Sequence, residues 1–404
     1  NRAFGYREYQ KTGKTFSDVK PTAWYADDIA IAQQQGYFAG ITPAKADPGG
    51  YLTREQAVAL LCRNIKLEEK QGEILGFTDS RQFGNWSKGS IGAFLEKGYI
   101  AGYKDSTFRP RAYISRGEAA KIISDIIGKW ISKAGTYRYG TVQGNMMLAN
   151  SGITLEDTVI VGDLYITSGV GSGYVNLNNV NVTGDVIISG GGSSNIGENS
   201  INFHNCHINR LIVDGQEEKV IAVDTLGTTV IAKTIVKTRA FLENHGDYKV
   251  GFIDVELRGS DIVQLTLAGD FDKVTVKNPK NQLKVGKGYV RNLYVDEDAT
   301  ESSVILDEGA YIGTLTLETI CKVTGLGDIS TLVVNANGCD VDMWPDKIVI
   351  RPGFTVKIGG KDFTSSDAEE YSAEPRILAG YPKEDEIGSS KATMKYKTNK
   401  SGQL

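Results

Sequence analysis

Histidine is scarce in these 404 residues, three in all, and the four cysteines Cys62, Cys206, Cys321 and Cys339 lie far apart with no Cys-x-x-Cys spacing. That spacing excludes the usual zinc and redox motifs. The cysteines read as small buried apolar residues, with a Cys321–Cys339 bridge as the less favoured alternative. No Gly-x-Ser-x-Gly or His-Glu-x-x-His occurs, so no catalytic residue, metal or cofactor is expected. No run of about 18 apolar residues exists, which excludes a membrane-spanning helix. Net charge is only -4, so there is no basic field to draw nucleic acid or an anionic membrane. A signal peptide is also missing, but the chain starts at Asn1 without Met, and this absence leaves the compartment open.

Proline is low at 9 and glycine high at 47, while 40% of residues are hydrophobic. That balance suits a turn-rich β protein better than a disordered one. The length allows two or three domains.

The first third is duplicated. Tyr51-Leu52-Thr53-Arg54-Glu55-Gln56-Ala57 returns 62 positions later as Tyr113-Ile114-Ser115-Arg116-Gly117-Glu118-Ala119. A hydroxyl residue followed three places on by Gln or Glu is a capping box, which fixes each helix start at about 1 kcal/mol per cap. The arginine then falls at the first helical position, where unpaired amides and the helix dipole favour an anion. The plainer alternative is a solvated arginine on a well-capped helix. The same offset pairs Trp24 with Trp86, Ile29 with Ile91, Gly36-Tyr37 with Gly98-Tyr99, Ala39-Gly40 with Ala101-Gly102, and Ile65 with Ile127. One gap earlier, Phe16-Ser17-Asp18 matches Phe77-Thr78-Asp79. Each unit reads as a turn, a helix over Trp24 to Gln35 ending at Gly36, a loop with Asp47-Pro48-Gly49-Gly50, and a second helix from Thr53 to about Ile65. Ala57, Leu60, Leu61 and Ile65 are its expected buried stripe. Residues 1–15 read as the tail of an earlier, truncated copy, so the expected units are 16–70 and 77–130.

These features, in this order in both copies, resemble the S-layer homology (SLH) domain family over roughly residues 1–130. The resemblance implies an α-helical bundle of three repeats whose grooves hold a secondary cell-wall polysaccharide, often pyruvylated, on Gram-positive surfaces. Carried over position by position, it implies that Arg54 and Arg116 bind the glycan, with Trp24 and Trp86 as groove aromatics, Gly40 and Gly102 as close-approach glycines, and Thr53 and Ser115 as the residues opening each binding helix. For both tryptophans, core packing is the alternative. The copy at 16–70 departs from the family's Thr-Arg-Ala-Glu at Glu55-Gln56, and the copy at 77–130 at Ser115 and Gly117. A ketal-linked pyruvate is a fixed carboxylate, which a guanidinium and helix-start amides recognise with about 1.5–3 kcal/mol per charge-assisted bond.

After Lys129 to Tyr137, expected as a hinge, the pattern changes to short apolar runs separated by Gly, Asn and Asp. A glycine followed by apolar residues at plus two, five and seven recurs at Gly269, Gly288 and Gly327, and with one insertion at Gly309. Looser rungs begin at Gly162 and Gly184, with Cys206 in a later glycine slot. This period of about 20 predicts a right-handed parallel β-helix, or β-solenoid, over 138–365, of about eleven coils. A β-sandwich pair is the alternative, but its hairpin turns are sparse. Asp163 and Asp185, in equivalent slots, are either a carboxylate ladder for acid/base or calcium chemistry, or water-facing turn residues. His204 and Cys206 are expected on one side of a strand and His207 on the other, which breaks up that metal-like cluster. Ser365 to Glu370 reads as a polar linker, and 375–404 as the start of a further β-sandwich-like module.

The expectation is a secreted, non-catalytic protein of the cell wall or S-layer, anchored through its repeats to wall polysaccharide. Its solenoid serves as a structural or adhesive stalk, with self-assembly or other surface proteins as further contacts. An anchored polysaccharide lyase or glycoside hydrolase with its site on the solenoid is the alternative.

Overall fold

The computed structural model describes residues 1, 16–70, 74, 76–192, 200–215, 219–259 and 262–371. The expected tail of an earlier repeat at 1–15 lies outside the described residues apart from Asn1, and the expected β module at 375–404 lies wholly outside them.

The chain divides into two compact units. The first carries helices α1 (Ala26–Gln34) and α2 (Arg54–Asn64) from one copy of the duplication, and α3 (Lys88–Glu96) and α4 (Arg116–Ile127) from the other. Helix α1 begins two residues after the expected Trp24, which leaves that tryptophan in the preceding turn. Gly36 (φ +75°) and Gly98 (φ +70°) follow α1 and α3 in the left-handed region that an L side chain rarely adopts. Both capping boxes form: Thr53 Oγ1 accepts from Gln56 N at 3.3 Å and Gln56 Oε1 from Thr53 N at 2.9 Å. Ser115 and Glu118 repeat this at 3.2 and 2.9 Å.

The buried face of α2 differs from the expected stripe. Ala57 and Ile65 are buried, but Leu60 and Leu61 are only half-buried, and the face is centred on Val58 and Cys62. These two stand at i and i+4, between the small Ala57 and Ala59 where α2 packs on α3. Cys62 is packing, and burial pushes its thiol up to about 11.

In each copy the aspartate of Phe-x-Asp pins the loop that leads to the second helix. Asp18 accepts from the amides of Ala46 and Asp47 at 2.9 and 2.8 Å, and Asp79 from those of Phe108 and Arg109 at 2.9 and 2.7 Å. Each carboxylate uses both oxygens on consecutive amides, a bidentate grip that a neutral side chain cannot match.

A parallel β-solenoid of about eleven turns runs from residue 129 to 358. The boundary between the two units falls inside the expected junction, between Ser132 and Lys133, but the stretch is not bare linker: Lys129–Ile131 pairs in parallel with Met146–Leu148, and Gly135–Gln143 is itself a strand. In the second unit each coil supplies one residue to each of several inward stacks. One stack is Ile166, Ile188, Val213, Val236, Leu257, Val276, Val295, Leu317, Val334 and Ile350, register partners on successive parallel strands. A stack on another face is Ile221, Ala240, Leu265, Leu283, Val304, Val323, Val341 and Ile358. All are buried, so a branched or aliphatic residue at one position per coil builds the continuous core.

The solenoid closes differently from expected. The Lys361–Thr364 strand turns back antiparallel onto Thr355–Ile358, and the supposed linker is a helix, Ser365–Glu370, capped by Thr364. Trp344 stacks on Tyr371 there and Phe363 meets both rings edge-on, with centroids 5.7–6.2 Å apart. Such a turn-back blunts an end whose amides and carbonyls would otherwise be unpaired.

Candidate functional site

The two copies of the duplicated motif meet. Thr53 and Tyr113 form an antiparallel bridge, and Ile114 N donates to Leu52 O at 3.0 Å. This brings the rings of Tyr51 and Tyr113 to 5.2 Å, both exposed. The starts of α2 and α4 are thereby held beside each other.

Arg54 and Arg116, expected to play equivalent parts, do not. Arg54 is 6% exposed. Its Nη1 lies 3.1 Å from Glu118 Oε1, its Nη2 donates to Ala101 O at 2.6 Å, and its guanidinium lies 5.0 and 4.9 Å from the ring centroids of Tyr103 and Phe108. The α2 amides are also taken: Arg54 N donates to Ala112 O at 2.8 Å and Glu55 N to Pro110 O at 3.0 Å. Glu55 Oε2 in turn accepts from Gly84 N and Ser87 Oγ at 2.9 and 2.8 Å. The second copy has thus filled the anion site of the first, and Arg54 ties the copies together.

Arg116 is exposed. Among the described residues it has no ion-pair or hydrogen-bond partner, and the first two amides of α4, those of Arg116 and Gly117, donate to no protein acceptor. The positive end of α4 and a guanidinium are both open to an anion. Glu118 stands on the side turned to Arg54. Its carboxyl is held down at about 2, chiefly by the Ser115 amide and then by the Tyr103 hydroxyl, with Arg54 adding to the effect.

Core packing is overturned for the tryptophans: Trp24 is 87% exposed and Trp86 51%. At Gly40 and Gly102 the close approach is by the repeat's own phenylalanine, since an added Cβ would lie 2.5 Å from Phe16 Cε1 or 2.2 Å from Phe77 Cε1. Thr53 and Ser115 are occupied as helix caps.

On the solenoid, Asp163 and Asp185 are buried instead of facing water. Asp163 Oδ1 accepts from Asp185 N at 2.8 Å, and Asp185 is gripped by Arg210 at 2.8 and 2.7 Å. Arg210 neutralises Asp185, Asp163 is held by the Asp185 amide, and the three residues brace successive coils with both carboxylates engaged. The expected alternation at 204–207 also fails. His204 and His207 are both exposed while Cys206 is buried, because Asn205 at φ +55° resets the strand between them. A row of tyrosines, Tyr248, Tyr289 and Tyr311, lines another stretch at 5.5–6.0 Å spacing, and the nearby Arg291 is paired to Asp272. The four cysteines are free, so the Cys321–Cys339 bridge is not formed.

Duplicated helical units with capped, arginine-bearing helix starts, followed by a β-solenoid, define a modular protein of repeats and rod. The S-layer homology domain family matches residues 15–58 and 76–120, so this stretch carries SLH domains. It is similar to a cellulosome-anchoring protein of Acetivibrio thermocellus, 34% identical over 115 residues, which cover 27% of this chain and 25% of that protein. The surface-layer 125 kDa protein of Lysinibacillus sphaericus is 31% identical over 28% of this chain and 10% of its own length. An amylopullulanase of Thermoanaerobacterium thermosulfurigenes is 30% identical over 28% of this chain and 6% of its own length. The chain therefore spans a quarter or less of these relatives, and the enzyme-named ones match only the SLH region. No solved structure matches. The SLH domains and surface-layer relatives mark the chain as secreted and held at the cell wall.

Proposed function

We propose that this chain is a non-catalytic anchor that binds secondary cell-wall polysaccharide through its SLH units, 16–70 and 77–130, and carries its solenoid as a structural or adhesive stalk. The observation that carries the reading is the open start of α4, where exposed Arg116 and two undonated amides form a ready receptor for a carboxylate-bearing sugar such as a pyruvate ketal. Exposed Trp24 and Trp86 supply aromatic faces for sugar rings. Arg54, Thr53, Ser115, Gly40 and Gly102 act indirectly, by holding the helices and loops in place. Cosedimentation of the full chain with purified wall sacculi, before and after mild acid removal of the polysaccharide, tests this. Retention should vanish with the polysaccharide, and equal retention on stripped sacculi would refute the reading.

The alternative of a solenoid-borne lyase or hydrolase has less support. Its two candidate carboxylates are tied up in the Asp163–Asp185–Arg210 brace, and the tyrosine row is accompanied by a paired arginine.

A further inference from the structure

One cluster on the solenoid is not neutralised as its neighbours are. Asp185 meets Arg210, Glu256 meets Lys233 and Arg258, and Asp296 meets Lys277. Asp224, in Ile221–Leu226, faces Glu243, in Ala240–Asn244, across a parallel ladder. Among the described residues neither carboxylate meets a lysine or arginine. Glu243 and His245 stand at i and i+2 on the same side of their strand, and His245 N extends the ladder by donating to Thr225 O at 3.1 Å.

Ligand atoms of Asp224, Glu243 and His245 all lie within 4.8 Å of one another, with His245 Nε2 3.8 Å from Glu243 Oε2. That separation is too long for a hydrogen bond. It is close to the distance of about 3.4 Å that two donors span across a tetrahedral ion with bonds of about 2.0–2.1 Å. Asp224 is 7% exposed, and its Oδ1 is fully buried without a hydrogen-bond partner. The same carboxylate also takes a hydrogen bond from Ser200. An orphaned carboxylate oxygen beside a second carboxylate is a strong local demand for positive charge.

We propose that Asp224, Glu243 and His245 form a binding site for a divalent first-row transition-metal ion, with Zn2+ the best fit to the donor set. Two carboxylates and an imidazole suit such an ion, whereas calcium and magnesium favour six or more oxygen ligands. The ion joins two successive coils, cancels their paired negative charge, and keeps a fourth position open.

Co2+ serves as the probe, titrated into the metal-free full chain at neutral pH and read by visible d–d absorption, with Zn2+ as competitor. One saturable site per chain, displaced by Zn2+ and accompanied by a higher Tm, is expected. His245 and Glu243 are not buried, so His245→Ala and Glu243→Gln should fold normally by circular dichroism and lose the signal. His204→Ala and His207→Ala should keep it. Absence of saturable uptake, or a signal unchanged in His245→Ala, would overturn the assignment.

Discussion

Arg54 of the first SLH copy and Glu118 of the second meet at 3.1 Å, and each is the very residue whose counterpart in the other copy does something else. Arg116, at the position of Arg54, is exposed, and Gln56, at the position of Glu118, only closes its own capping box. Duplication has therefore yielded one inward arginine that binds the copies together and one outward arginine free for a ligand.

The inward pair should matter for stability. Arg54→Ala leaves Glu118 and Ala101 O without their partner, but the Glu118 side chain is 32% exposed and water replaces part of the loss. A cost of about 2 kcal/mol is expected, against about 0.5 kcal/mol or less for Arg116→Ala. Urea midpoints of the two variants check the contrast.

Acid should weaken the first unit through Glu118. Its folded pKa of about 2 lies below the ordinary 4.5, so the unfolded chain takes up the proton first. The stabilisation is complete above about pH 4.5 and is lost as pH falls toward 2. Melting temperature followed over that window should decline less steeply in Glu118→Gln, which has no charge to lose.

Asp18→Asn and Asp79→Asn should each free one of the two amides that the native carboxylate holds. An amide side chain offers one acceptor oxygen in place of two. Each variant should show a lower urea midpoint, with faster hydrogen exchange at Ala46 and Asp47 in the first and at Phe108 and Arg109 in the second.

The solenoid stacks predict a sharp contrast between inner and outer leucines. Leu293 is fully buried and Leu326 is 78% exposed. Leu293→Ala should cost about 2–5 kcal/mol and Leu326→Ala less than about 0.5 kcal/mol, measured by denaturant unfolding.

Features written in local spacing were legible in the sequence. The two capping boxes depend on residues three apart, and the coil period depends on one buried residue per turn of the solenoid, so both survive without tertiary knowledge. What was not legible depended on partners far along the chain. Nothing near Arg54 announces Glu118, and nothing near Asp185 announces Arg210 one coil later. Asn205 shows a second limit, since one left-handed residue turns His207 to the same side as His204 and defeats simple alternation. The Asp224–Glu243–His245 cluster was missed for a related reason. Asp224 lies one coil before Glu243 and His245, and the signal was an acidic residue recurring after 19 positions with a histidine two places on.

The most direct test of anchoring is retention of the full chain on purified polysaccharide-bearing walls by Arg116→Ala, alone and combined with Trp24→Ala and Trp86→Ala, in variants whose circular dichroism matches the parent. The account predicts that Arg116→Ala releases most of the protein and the triple variant essentially all of it. Retention equal to the parent in the triple variant would contradict the claim that the open start of α4 and the exposed tryptophans hold the wall.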